Sequence, residues 1–246
     1  MTKDLDPVYV LVYNSKLTGK KLHEWLLAYW CFYHVGTASW ILDQSDYWKA
    51  METAAGSKEY LRSSERRHYR GGQALRSVAW LKELGVQKLF SPLVGKNLTA
   101  PQCIELVKKW KGFGQWISFK VADMLGRLGV SKIKFDSETA MYESPLNGAK
   151  LLWSIENEGI EEPENVGEWA FGRLAKKLGY LKAPPRFERN LDVEEYETIL
   201  CKYKSYMGGH YHVTEDIESC KLGLEKYNTK TCNSLLEAGV IGGLWS

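Results

Sequence analysis

No apolar run in the 246 residues reaches eighteen, which excludes a helix able to span a membrane. No C-x-x-C pair occurs. The five cysteines, Cys31, Cys103, Cys201, Cys220 and Cys232, are scattered and odd in number, so neither a zinc knuckle nor an iron–sulfur cluster is signalled. Reduced thiols in a cytoplasmic protein are the simple reading. The first six residues hold two acids and no apolar stretch of signal-peptide type follows, so no secretory signal is predicted. There is no G-x-x-x-x-G-K-[ST] and hence no P-loop for a nucleotide. Repeats and low-complexity tracts are also missing. What is present, 44% hydrophobic and 26% charged residues, suffices for a buried core and argues against disorder. The length fits one large domain or one domain with an appendage.

The net charge is only +3, but it is unevenly spread. Residues 58–88 carry eight Lys/Arg against three Glu, net +5, and residues 96–134 carry eight against two acids, net +6. Residues 155–170 hold six Glu and no base, net −6. A polyanion such as nucleic acid would meet the first two segments and avoid the third. The competing reading is ordinary solvated helix faces.

The apolar spacing is helical almost throughout. Leu22, Trp25, Leu26, Tyr29, Trp30 and Tyr33 recur every three or four residues, with Gly36 expected to end or kink that helix. Leu75, Val78, Ala79 and Leu81 form a second face before Gly85. Only residues 8–12 have a strand-like pattern, and five residues cannot build a sheet, so they are expected to dock or to begin a helix. The strongest break is Pro184-Pro185, which divides a main helical body, residues 1–183, from a C-terminal helical section, residues 184–246.

Residues 99–139 are the most informative. Thr99 is an N-cap candidate with Pro101 in the first turn, and Ile104, Val107 and Trp110 follow. Gly112-Phe113-Gly114 must stop that helix. A second helix then carries Ile117, Val121, Met124, Leu125 and Leu128 on one face, and Gly129 ends it. Two glycines let such a turn approach a phosphate closely, and the free amides of the second helix, from Gln115 on, point at it. Phe113 is expected between the two helices, and Lys120 is a further cation for DNA. By itself the pattern also fits an ordinary packing corner. Twenty-two residues after Gly114 comes Asp136, ahead of Ser137, Glu138 and Thr139. As an N-cap it would be held ionised by the next helix's amides.

Hairpin and aspartate together resemble the helix–hairpin–helix DNA glycosylase superfamily, in which an aspartate about twenty residues after the hairpin faces a flipped nucleotide. Bifunctional glycosylases carry a nucleophilic lysine two positions after the second glycine. Here that position is Trp116, which argues against lyase chemistry. Two more stretches sharpen the resemblance: the aromatic run 30–40, and residues 200–217 with Lys202, Lys204, Gly208, Gly209, His210, Tyr211 and His212. With the hairpin they resemble the phage alpha-glutamyl/putrescinyl thymine pyrophosphorylase family, which includes the amino acid:DNA transferases.

The resemblance implies an all-α fold, a helix–hairpin–helix DNA glycosylase-like bundle (hairpin at about 99–129) with a C-terminal helical extension. It implies replacement of pyrophosphate on 5-pyrophosphoryloxymethyl-deoxyuridine in DNA by an amine, from an amino acid or a polyamine. A separate 5-hydroxymethyluracil DNA kinase would supply the activated double-stranded DNA, and the setting would be the host cytoplasm. No cofactor is called for beyond the amine co-substrate, and the need for a divalent metal stays open. Trp30, Tyr33 and Trp40 are candidates to stack on a flipped base, with core packing the competing reading for each. Lys202, Lys204, His210 and His212 are candidates for pyrophosphate or backbone phosphate, Tyr211 for substrate, and Asp136 for the incoming ammonium and its proton. His210 and His212 share a face only if extended, and two His without a third ligand are weak evidence for a metal. Glu24 and Asp43 are weaker carboxylate candidates. Rival readings are a monofunctional DNA glycosylase acting on a modified or mismatched pyrimidine, and a non-catalytic DNA-binding module.

Overall fold

A computed structural model describes residues 2–245. The fold is an all-α bundle with minor β structure. By backbone contacts it divides into two compact units, residues 1–7 with 134–216 and residues 8–133 with 217–246. Pro184-Pro185, where a division was expected, lies inside the first of these.

The unit formed by 8–133 and 217–246 holds α1 (Pro7–Asn14), α2 (Gly19–Phe32), α3 (Val35–Leu42), α4 (Tyr47–Gly56), α5 (Gly71–Leu84), α6 (Val86–Phe90), α7 (Ala100–Lys108) and α8 (Gln115–Arg127). The strand-like residues 8–12 are helical and buried in α1, because an apolar run with no alternation buries equally well as a helix. Trp25, Leu26 and Trp30 on α2 are fully buried, each such side chain contributing about 1.5–3 kcal/mol. The helix ends at Phe32, with Tyr33 left-handed at φ 50°. Gly36 does not end it. Gly36 sits inside α3, where a Cβ would come 1.9 Å from the carbonyl oxygen of Gly223, so it permits a close helix crossing. On α5 the buried face is Ala74, Ser77, Val78 and Leu81, while Leu75 and Ala79 look outward. A two-stranded sheet joins β1 (Asn97–Thr99) and β2 (Lys132–Lys134). The chain passes into the other unit at the end of β2.

That other unit contains α9 (Ser137–Ala140), α10 (Glu143–Glu156), α11 (Val166–Leu178) and α12 (Val193–Met207). Helix α10 packs on α11 and α12. A Cβ on Gly148 would lie 2.3 Å from the Leu200 carbonyl oxygen, so the glycine sets how closely α10 and α12 approach. Asp192 and Glu195 form a capping box on α12, and buried Glu195 accepts two hydrogen bonds from the Arg189 guanidinium, at 2.8 Å each. The chain then returns through α13 (Glu215–Tyr227) to α14 (Lys230–Ile241). No helix among the described residues is long and apolar enough to cross a membrane.

Candidate functional site

The turn between α7 and α8 is built from three sides. Thr99 caps α7 as expected, and Gln102 completes a capping box with it. Gly112 adopts φ +87°, and a Cβ there would meet the Ser77 hydroxyl at 2.8 Å. Arg66 donates to the Gly112 carbonyl at 3.1 Å, and the Ser77 hydroxyl donates to the Lys111 carbonyl. Phe113 is buried beside Trp110, edge-on at 5.2 Å, as expected for the residue holding the helix pair. Gly114 caps α8 with no side-chain hydrogen bond, and the space where its Cβ would stand is open. Gln115, next to it, is exposed. Outside the turn lies an open groove of ≈ 620 Å³ lined by Gln73, Trp80, Lys108, Lys109 and Lys111 together with residues 110 and 112–114. Lys109 and Lys111 are exposed, and Lys108 pairs with Glu105 at 2.9 Å. Lys120 is elsewhere: it is buried on α8 with its ammonium 5.3 Å from the Phe119 ring, a poor position for reaching DNA.

The three aromatic candidates part company. Trp30 is a core residue, stacked on Phe90 at 5.5 Å. Trp40 is half-buried against Tyr60 at 4.3 Å. Tyr33 is half-buried and meets Trp116, in the first turn of α8, edge-on at 4.9 Å. The structure thus brings Tyr33, but neither of the others, to the residue beside the hairpin amides. Asp43 caps the start of α14 through Thr231, at 2.6 Å from both its amide and its hydroxyl, and Glu24 pairs with Lys20.

In the other unit, Asp136 caps α9 and accepts from the Thr139 amide at 2.7 Å. Its carboxyl is held below the usual range by hydrogen bonds from Thr139, and it is exposed. Such a group stays ionised and attracts a cation, but it is a poor proton acceptor. Lys202 has its ammonium 2.6 Å from Asp216 and 2.9 Å from the Tyr211 hydroxyl, and also donates to the Asp4 carbonyl. Tyr211 donates to the Asp4 carboxylate, which also accepts from the Thr214 amide at 3.1 Å. Lys202 and Tyr211 therefore pin the N-terminal segment rather than stand open to a ligand. His210 and His212 are exposed, His212 pairing with Glu215 at 3.2 Å. Among the described residues no three His, Cys, Asp or Glu come together as a metal site.

Lys204 donates to the Ser144 hydroxyl at 2.8 Å, across from α12 to the first turn of α10. The same hydroxyl lies 3.4 Å from the Cys201 sulfur, which is 3.3 Å from Oε1 of Glu197. Glu197 is fully buried and accepts from Tyr142 and from Thr198 at 3.1 Å. Sequence reasoning passed over Tyr142, Ser144 and Glu197. The only local signal was Glu197 four residues before Cys201, which puts the two on one helix face.

One unit thus offers a basic, glycine-turned groove and the other a cluster of ionisable and nucleophilic groups. The chain belongs to the amino acid:DNA transferase family, whose model matches residues 1–212. It is 31% identical over 245 residues to a glycinyltransferase of Pseudomonas phage PaMx11, covering 88% of this chain and 84% of the relative. It is 27% identical over 235 residues to a putrescinyltransferase of Delftia phage PhiW-14, covering 88% and 72%.

Proposed function

We propose that the protein replaces the pyrophosphate of 5-pyrophosphoryloxymethyl-deoxyuridine in double-stranded DNA with an amine, and that glycine and putrescine are the first donors to test. The observation that carries this reading is the family match across residues 1–212, which spans both the groove and the α10–α12 cluster. The two relatives named as glycinyl- and putrescinyltransferases support a small primary amine as donor.

The turn at 112–114 acts as a helix–hairpin–helix of DNA glycosylase type. Backbone amides at the start of α8 and the cations Lys109 and Lys111 take phosphates, and counterion release makes the binding salt-sensitive. Asp136, ionised, attracts the donor's ammonium and lowers the cost of bringing the amine close. Lys204, beside Ser144, supplies a cation that offsets the charge of the departing pyrophosphate. Attack falls on the exocyclic carbon, so the glycosidic bond survives. A separate kinase acting on 5-hydroxymethyluracil must supply the activated base, because hydroxide is too poor a leaving group.

The test is nucleoside mass spectrometry of DNA bearing the activated base, incubated with the protein and either amine. An aminated thymine with free pyrophosphate is expected, and DNA with unactivated 5-hydroxymethyluracil should be inert. Free base with abasic DNA would establish a glycosylase instead. Unchanged activated DNA with every common amino acid and polyamine overturns the transferase reading.

A further inference from the structure

Cys201 differs from the other four cysteines. It alone is not buried, whereas burial pushes the Cys31 thiol up to about 11 and the Cys103 thiol up to about 12, where they are inert. Five polar side chains gather around Cys201, two of them against its sulfur. The Glu197 carboxylate is 3.3 Å from its sulfur and is oriented by Tyr142 and Thr198. The Ser144 hydroxyl is 3.4 Å from the same sulfur and is held by the Lys204 ammonium. A nucleophile, a base within reach, a third group orienting the base, and a cation behind a hydroxyl make the arrangement of an activated nucleophile. Gly148 makes it possible, since a Cβ there would clash with the Leu200 carbonyl and keep α10 from bringing Ser144 to α12.

We propose that Cys201 is a covalent nucleophile that adds to C6 of the activated pyrimidine, with Glu197 as its base and the Lys204–Ser144 pair steadying the sulfur's negative charge. The inference rests on the transferase reading above. Glu197 takes the thiol proton, and the sulfur forms a bond to C6 while the C5–C6 π electrons move to the C4 carbonyl as an enolate. The enolate collapses, the bond from the exocyclic carbon to the pyrophosphate oxygen breaks, and an exocyclic methylene conjugated with C4 remains. The unprotonated amine adds to that methylene and restores the enolate. Collapse in the other sense re-forms C5–C6 and expels the Cys201 sulfur. The proton lost by the amine nitrogen and the one held by Glu197 go to pyrophosphate and to the thiolate. No oxidant or reductant is needed. The chemistry explains why one protein would want both a soft nucleophile and an amine: addition at C6 turns a sluggish displacement into an elimination and a conjugate addition.

The experiment uses the full chain and DNA carrying 5-pyrophosphoryloxymethyluracil, first without any amine. The wild-type protein should release about one pyrophosphate per protein and form an SDS-stable protein–DNA adduct that maps to Cys201, as burst behaviour requires. Glycine or putrescine should discharge it. Cys201→Ser and Cys201→Ala should lose the adduct and slow turnover by about a hundredfold or more, with DNA affinity nearly unchanged, and Glu197→Gln should slow adduct formation by a similar factor. An unchanged urea-unfolding midpoint reports that the variants are folded, since DNA affinity rests on the hairpin of the other unit, and the near-isosteric Ser guards against a packing defect in Ala. Turnover by Cys201→Ser close to wild type, with no adduct in the wild type, overturns the covalent route and leaves the transferase reading standing. A wild type that aminates no activated DNA overturns both.

Discussion

Arg66 donates through Nη1 to the carbonyl of Gly112 at 3.1 Å and through Nε to the carbonyl of Cys31 at 2.9 Å, so one guanidinium ties the end of α2 to the hairpin turn. It is buried, with Tyr69 4.3 Å and Phe113 5.4 Å from the guanidinium carbon. Burial lowers its pKa, but a guanidinium remains charged. Replacing it with Met keeps the volume and strands two carbonyls. Arg66→Met should cost about 2–4 kcal/mol, from two charge-assisted hydrogen bonds lost in a desolvated place. Urea unfolding measures it. DNA affinity should fall as well, because the turn loses its brace. A variant as stable as wild type would reduce Arg66 to a bystander.

The two hairpin glycines should respond oppositely. Gly112→Ala places a Cβ against Ser77 on a backbone at φ +87°, so it should destabilise the fold by about 1–3 kcal/mol. Gly114→Val meets only open space and should leave unfolding unchanged while weakening DNA binding about tenfold or more, because the branch stands where a phosphate must come close. In the wild type, log affinity should fall linearly with log salt. Salt-independent binding, or equal binding by Gly114→Val, would remove the hairpin from the DNA interface.

The same residues explain what was legible in the chain. The hairpin follows from local rules: an N-cap threonine, two glycines, and apolar spacing on each side, all within about thirty residues. The helical character of the chain was equally readable, and the stretches at 30–40 and 200–217 pointed to the family. Charge counting was misleading in detail, because Arg66, one of the eight cations of residues 58–88, and Lys120, expected at DNA, are both buried. Lys202 looked like a free cation because Asp4 lies at the far end of the chain, and because Asp216, fourteen residues on, meets it only once the chain has turned back after α12. The Ser144–Cys201 approach spans 57 positions and depends on a glycine whose close contact no single-sequence pattern reveals.

Asp136 separates cap from chemistry. Asn caps nearly as well as Asp, so Asp136→Asn should fold normally, whereas Asp136→Ala should lose about 1 kcal/mol. Both remove the charge proposed to attract the donor ammonium, so both should raise the KM for the amine. Because the native carboxyl lies below its ordinary value, its capping contribution is complete above about pH 4 and is lost as pH falls through the native pKa. Amine KM should therefore show no carboxylate titration between pH 5 and 8. Unchanged amine KM in a folded Asp136→Asn protein makes Asp136 a structural cap alone.

His34 gives the fold its own acid limit. Its Nδ1 accepts from the Thr37 amide at 3.1 Å, capping α3, which requires an unprotonated nitrogen. Burial, and then the charge of Lys226, push its pKa down to about 4. In the unfolded chain the imidazole takes a proton near pH 6.5. The unfolded state thus binds more protons between those values, and stability must fall as pH drops from about 6.5 to about 4, by a few kcal/mol in all. Above pH 6.5 both states are neutral and the contribution is complete. Carboxylates titrate in the same window, so the comparison that isolates the histidine is His34→Asn. Asn caps α3 without a proton to bind. Its stability at pH 7.5 should be lower for the smaller side chain, but its decline between pH 6.5 and 4.5 should be shallower than wild type. Urea unfolding at four pH values reads both slopes, and parallel curves would mean that His34 is not held neutral by the fold.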